Sequence, residues 1–254
     1  ELIVPTVKAY NLFKDKYNVE RNIHIIPTGI EVEHFFPQNV DKKEVAALKK
    51  FYHLPKKYFG IILVGRIAEE KNIPFVIDVV DKLKEQIPSI QLFIIGDGPD
   101  KERYMELVKE KHCEKQIIFT GKISWQNMPV YYQLGNIYIS ASKTETQGLT
   151  VTEAMAASLP AVVIDDVAFR TLVCEGLNGL FFKDEESCQE VILKLYKDEF
   201  LRQQLARQAE IQSEHCSTSQ FADNVLLVYK RAIETKNKNK YGIFSTIANY
   251  WRKR

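Results

Sequence analysis

Apolar positions in the middle of the chain follow two alternating rhythms. Tyr58 to Val64, Ile90 to Ile95, Ile117 to Thr120, Asn136 to Ser140 and Ala161 to Ile164 are short, nearly unbroken runs of the length expected for strands buried on both faces. Between the first two, Ile73 to Ile87 puts Phe75, Val76, Val79, Val80 and Leu83 on one side of a helix, and Lys101 to His112 predicts the next helix. Strands separated by single helices predict βαβ units, and hence an α/β fold with a Rossmann-like doubly wound parallel sheet. From Asp184 onward the period stays helical: Glu185 to Tyr196, Glu199 to Glu214 and Ser217 to Thr235 predict a helical C-terminal extension. Residues 1–57 are poorly periodic, with a helix expected near Lys8 to Lys14, a strand near Ile23 to Ile26 and a helix over Asp41 to Phe51.

In a doubly wound sheet, ligands sit beyond the carboxyl ends of the strands. Those ends carry Gly65-Arg66, Gly96-Asp97-Gly98, Gly121-Lys122 and the stretch from Ser142 to Gly148. Gly96-Asp97-Gly98-Pro99 lacks the G-x-G-x-x-G spacing of a dinucleotide site, and a G-x-x-x-x-G-K-[ST] phosphate loop is absent, which disfavours dehydrogenase and ATPase chemistry. Arg66 and Lys71 follow a strand and precede a helix; they would either neutralise a diphosphate in the crevice or be solvated charge beside Glu69 and Glu70. Glu145 falls in a loop and Glu153 in the helix expected to start near Gly148, where the amides of Gln147, Gly148 and Leu149 would face the crevice and suit an anionic oxygen. The two glutamates could hold sugar hydroxyls and a ribose diol, or be a cap and a surface charge. A metal site is the weaker reading of paired acids, because no D-x-D pair occurs and Asp165-Asp166 reads as the start of a loop. G-x-S-x-G and H-E-x-x-H are absent, and the five histidines show no catalytic spacing.

Composition adds three points. Hydrophobic content of 45% and charged content of 27% over 254 residues are those of a globular domain. The net charge of +2 conceals a basic end: Lys236, Lys238, Lys240, Arg252, Lys253 and Arg254 with no acid among them, interleaved with Tyr241, Ile243, Phe244, Tyr250 and Trp251. That tail reads either as a membrane-surface segment or as a closing helix. The acid-free basic run lies in the tail, and that placement, with a crevice without an aromatic platform, argues against nucleic acid as a partner. Cys113, Cys174, Cys188 and Cys216 form no C-x-x-C pair and read as reduced structural thiols; no apolar run is long enough for a membrane span. The opening Glu1-Leu2-Ile3-Val4-Pro5-Thr6 reads as the interior of a longer protein.

Taken in order, Ile26-Pro27-Thr28-Gly29-Ile30, Gly65-Arg66 through Glu70-Lys71-Asn72, Ile95-Gly96-Asp97-Gly98-Pro99, Phe119-Thr120-Gly121 and the Glu145/Glu153 pair resemble retaining glycosyltransferases of family 4 type, built from two facing Rossmann-like domains (the GT-B fold). The resemblance covers about residues 25–185 and implies the C-terminal, nucleotide-sugar-binding half of that fold. It implies that Arg66 and Lys71 bind the diphosphate and stabilise it as it leaves, that Glu153 takes the ribose hydroxyls and that Glu145 takes those of the transferred sugar. The amides of Thr146, Gln147, Gly148 and Leu149 would hold sugar and phosphate, the backbone at Lys122 and Ile123 would meet the base, and Gly29 would line the interdomain cleft. Neither a cofactor nor a metal is implied.

Within the family, Ser142 to Leu149, Asp165-Asp166, Phe169-Arg170, Asn178-Gly179, Val4 to Lys8 and the polybasic end are similar to the bacterial branch that glucosylates diacylglycerol. That likeness implies transfer of glucose from UDP-glucose with retention, a lipid acceptor such as diacylglycerol bound through a missing N-terminal domain, and a cytoplasmic location against the anionic inner face of the cell membrane. The alternatives are a cell-wall or capsule glycosyltransferase with another acceptor, or a non-catalytic nucleotide-sugar-binding module. The expected organisation is residues 1–22 as the end of the missing domain and linker, 23–235 as the Rossmann-like domain, and 236–254 as a basic aromatic tail crossing back toward the missing domain. One departure stands out: the family's Ala-Ser-Gly-x-Pro is Ala157-Ser158-Leu159-Pro160 here, so the turn before the strand at Ala161 is expected to be shaped differently.

Overall fold

A computed structural model describes residues 1–142 and 144–252, with side chains up to residue 236. The first strand, β1 (Leu2–Val4), is followed by α1 (Val7–Asn11), which runs on as a π-helical turn over Leu12–Lys16. Thr6 caps α1 by accepting from the amide of Ala9 at 3.3 Å. β2 (Ile23–Ile25) pairs in parallel with β1 in a small separate sheet, so the expected strand at Ile23 joins the N-terminal segment and not the main sheet. α2 (Lys42–Phe51) starts at Asp41, whose carboxylate accepts from the amide of Lys43.

The main body alternates β3 (Phe59–Val64), α3 (Ile73–Leu83), β4 (Ile90–Ile95), α4 (Lys101–Glu110), β5 (Ile117–Gly121), α5 (Met128–Tyr132), β6 (Ile137–Ser140), α6 (Leu149–Ala156), β7 (Ala161–Ile164) and β8 (Gly179–Phe182). The five strands legible in the sequence are joined by β8, a four-residue strand at the sheet edge. All six are parallel, in the spatial order β5-β4-β3-β6-β7-β8. The order reverses between β3 and β6. At such a switch point the helices leave on opposite faces and a crevice opens at the carboxyl ends of the two strands.

The crevice walls are held by packing. β4 is buried along its whole length, and α3 buries Ile73, Val76, Ile77, Val79, Val80 and Leu83 against the sheet. Each such side chain contributes about 1.5–3 kcal/mol of transfer free energy. α6 buries Val151, Ala154 and Met155, which fixes the rotation of that helix and so the direction of Glu153. Three helices close the chain: α7 (Glu185–Lys197), α8 (Glu199–Ser213) and α9 (Thr218–Arg252). Asp184 and Ser187 form a reciprocal capping box on α7. α9 extends well past the expected end at Thr235, since Asn237 to Asn239 and Gly242 do not outweigh the helix formers around them. The side chains of the basic aromatic tail beyond Lys236, and Lys253 and Arg254 altogether, lie outside the described residues.

The turn at Ser158 keeps the left-handed geometry that a glycine would supply. Ser158 has φ +58° and hydrogen-bonds Glu210 through its hydroxyl. Among the described residues, no helix is long and apolar enough to cross a membrane.

Candidate functional site

The loops after β3, β4 and β5 approach one another closely at the carboxyl edge. Gly96 takes φ +145°, and a Cβ added to it would lie 1.9 Å from the carbonyl oxygen of Gly65, so only glycine fits. Arg66 follows at the exposed rim, and among the described residues no carboxylate pairs with it. Lys71 ends a 3₁₀ turn over Glu69–Lys71 that leads into α3. Its Nζ lies 2.7 Å from Oε2 of Glu145, with the two side chains 23% and 18% exposed. Ser142 ties the same two loops together by donating from its hydroxyl to the carbonyl of Glu70 at 3.2 Å.

The strand order therefore joins two groups 74 residues apart, the lysine of the β3 loop and the glutamate of the β6 loop. As an isolated and partly solvated pair it contributes only about 0.2–1 kcal/mol. An anion and a polyol arriving together can separate it at little cost.

α6 starts from Gly148, in the left-handed region at φ +69°. Among the described residues, the amides of Thr146, Gln147, Gly148 and Leu149 donate to no protein acceptor, as at the free start of a helix. Glu153 sits in the second turn and is largely buried. Burial, the largest effect, lifts its carboxyl above the ordinary range, while a hydrogen bond from Tyr132 and the nearby His34 pull it back. The Tyr132 hydroxyl donates to Oε2 of Glu153 at 2.7 Å, and Tyr132 is fully buried. Oε1 has no protein partner among the described residues. Burial raises the hydroxyl of Tyr138; its hydrogen bond with Thr150 at 2.8 Å offsets part of that, and the charges of Glu145 and Glu153 add to the rise.

Two further side chains, unflagged by the sequence, border the crevice. Trp125, 43% exposed, lies just beyond Lys122 and Ile123 and stacks on His34 with ring centroids 3.9 Å apart and planes within 16°. His34 Nε2 also meets the carbonyl of Trp125 at 3.2 Å. Lys122 is exposed, and Ile123 packs on the core. Gly29 has a different neighbourhood: a Cβ there would lie 2.6 Å from Cβ of Phe221, and Ile30 exchanges backbone hydrogen bonds with Cys216 and Thr218. The segment around Gly29 thus seats the start of α9. Lys8 pairs with Asp166 at 3.2 Å, bringing together two of the stretches similar to the lipid-glucosylating branch. Asn178 in a third is buried and spans the loop by donating to Leu172 and accepting from Cys174. Among the described residues, no three His, Cys, Asp or Glu side chains converge as a metal site would require.

The family model of glycosyl transferases group 1 matches residues 44–212, which include every one of these crevice residues except His34. The chain belongs to that family. Among curated relatives of this glycosyltransferase chain, the alpha-monoglucosyldiacylglycerol synthase of Acholeplasma laidlawii is 34% identical over 237 residues, covering 93% of this chain and 59% of the relative. The alpha-monoglucosyldiacylglycerol synthase of Streptococcus pneumoniae is 29% identical over 194 residues, covering 76% of this chain and 44% of the relative. The chain thus spans about half the length of the curated relatives it matches. The fold is shared with Anabaena HepE, solved in complex with UDP and glucose, at a TM-score of 0.80 and 16% identity, with 90% of this chain and 62% of that one covered.

Proposed function

We propose that this chain supplies the nucleotide-sugar site of a retaining glycosyltransferase that moves glucose from UDP-glucose to diacylglycerol at a membrane surface. The observation that carries the reading is the Lys71–Glu145 pair, set at the switch point beside Arg66, the free amides of Thr146 to Leu149 and the open carboxylate oxygen of Glu153. Family membership and the likeness to two monoglucosyldiacylglycerol synthases support it.

On this reading the diphosphate takes Lys71 and Arg66, and the sugar hydroxyls take Glu145, so the nucleotide sugar separates the resting pair. Glu153 accepts from the ribose diol through Oε1, held in position by Tyr132. The base lies against the backbone of Lys122 and Ile123. As the bond from the anomeric carbon to the diphosphate oxygen breaks, negative charge builds on that oxygen, and the two cations stabilise it more strongly than in the ground state. Diacylglycerol would enter from outside these residues.

The test is transfer of labelled glucose in the full-length chain, with diacylglycerol in mixed micelles and the anomeric configuration of the product read by NMR. An α-linked glucolipid whose formation falls at least about 10²-fold in Lys71→Ala supports the reading, a loss of the size seen when one electrostatic stabiliser is removed. Transfer only to a polyol or polysaccharide acceptor would replace the lipid with another acceptor. UDP-glucose binding without transfer to any acceptor would reduce the protein to a binding module.

A further inference from the structure

The opposite edge of the sheet holds a second chemically distinct feature. A cavity of about 570 Å³ opens at the amino ends of the strands, lined by Lys49, Lys56, Lys57, Tyr58, Tyr196 and Arg202 among others. Its size is that of a small-molecule site. Phe59 at the start of β3, Ser89 just before β4 and Asn136 just before β6 form part of its wall. The crevice described above lies at the far end of those strands, roughly 17 Å away for a six-residue strand. The two sites are separate.

Four cations line the cavity against a single carboxylate, Glu199. Arg202 is fixed: it donates to the carbonyls of Leu195 and Tyr196 at the end of α7, and its guanidinium lies 5.5 Å from the Phe59 ring centroid. Lys49 lies over the Tyr58 ring at 5.7 Å. Among the described residues no carboxylate is within ion-pairing distance of Lys49, Lys56 or Lys57. Neutral donors are open as well. Asn136 accepts from the amide of Gly60 with its oxygen, and among the described residues its NH₂ and the hydroxyls of Ser89 and Tyr196 have no partner. Tyr58 is held by donating to the carbonyl of Leu134 at 3.0 Å. A basic, donor-rich pocket with two tyrosine walls matches a group with several anionic acceptor oxygens on a less polar body.

We propose that this cavity is a phosphate-binding site distinct from the nucleotide-sugar crevice, taking a phosphate mono- or diester. A soluble phosphorylated metabolite and an anionic phospholipid headgroup share that chemistry, and the experiment separates them.

Two probes are titrated into the full chain: glycerol 3-phosphate by calorimetry, and vesicles of equimolar phosphatidylglycerol and phosphatidylcholine by co-sedimentation. Each is run on the wild type, on Lys56→Ala/Lys57→Ala, and on Lys109→Ala/Lys115→Ala, which removes the same charge elsewhere on the surface. The Arg66→Ala/Lys71→Ala variant serves as a further host, so that binding in the crevice is not counted. Loss of two charge-assisted contacts predicts affinity at least about tenfold lower in Lys56→Ala/Lys57→Ala alone. Glycerol 3-phosphate binding with that pattern supports the site with a soluble ligand. Vesicle binding with that pattern, without glycerol 3-phosphate binding, supports it with a lipid headgroup. Equal loss in the two lysine-pair variants would reduce the effect to net charge and overturn the proposal, as would binding that is unchanged in Lys56→Ala/Lys57→Ala, that vanishes with Arg66 and Lys71, or that is absent for both probes.

Discussion

A largely buried carboxylate without an ion-pair partner is destabilising, and Glu153 is in that position: among the described residues it forms no salt bridge, and Tyr132 is its one hydrogen-bond partner. Its folded carboxyl titrates above the ordinary value of 4.5, so its contribution to stability is fully present below 4.5 and is lost as pH rises through the higher folded value. Glu153→Gln should therefore be more stable than wild type near neutral pH, on the order of 1 kcal/mol, as is common when a functional-site charge is removed. Thermal melts should show that gap closing as pH falls toward 4.5; a gap constant with pH would contradict the assignment. Tyr132→Phe removes the hydroxyl that favours the charged form, leaving His34 as the nearby group that still favours it. UDP affinity should fall about tenfold, as for a hydrogen bond to a charged group, and fall further at acid than at alkaline pH. Arg66, Lys71, Glu145 and Glu153 stood out as candidates because charged residues at strand ends and a helix start contrast with the apolar rhythm, but spacing left each readable as plain surface or capping charge, and their roles came from the family resemblance. Tyr132 was not: in Met128-Pro129-Val130-Tyr131-Tyr132 an aromatic that orients a carboxylate looks the same as one that fills the core. His34 and Trp125 meet across 91 residues, and no local spacing encodes that contact.

At the scale of elements, long buried runs were readable and short edge pieces were not. β4 is apolar at all but one position, and its bounds match the sequence expectation; β1 and β8, of three and four residues, are too short for a period to register. Nor can a single sequence say that β3 lies beside β6, the adjacency that creates the Lys71–Glu145 pair. The turn from α6 to β7 shows tertiary demand overriding preference, because Ser158 holds a left-handed φ of +58°. Replacing it separates backbone cost from side-chain gain. Ser158→Ala loses the bond to Glu210 and keeps the strain, and should be the least stable of the three; Ser158→Gly should exceed it by about 1 kcal/mol in chemical denaturation. Equal stability of the alanine and glycine variants would show that the turn relaxes. At the start of α6, Gly148→Ala would force an alanine to φ +69° with its Cβ 3.2 Å from Leu172 Cδ1, costing about 1–2 kcal/mol and displacing the free amides that follow. UDP affinity should drop with it.

Across the whole molecule, chemistry divides along the strand axis. The carboxyl edge gathers the opposed charges of Lys71 and Glu145 with open amides and Glu153, whereas the amino edge gathers unpaired lysines. α9 carries Leu226, Leu227, Tyr229 and Ile233 largely exposed, alongside the small β1–β2 sheet, whose Ile25 is also exposed. The doubly wound class was legible because alternating strand and helix runs admit few topologies, whereas the extent of α9 and the seat of Gly29 against it depend on long-range packing. The central claim is that the β3–β6 crevice holds a nucleoside diphosphate sugar. Calorimetric titration of this chain with UDP and UDP-glucose, repeated on Lys71→Ala and Glu153→Ala, tests it most directly. Wild-type binding of both is expected, weakened at least about tenfold in each variant, as for the loss of a charge-assisted contact. Wild-type binding that persists unchanged in both variants, with all three proteins folded, would place the ligand elsewhere and contradict it.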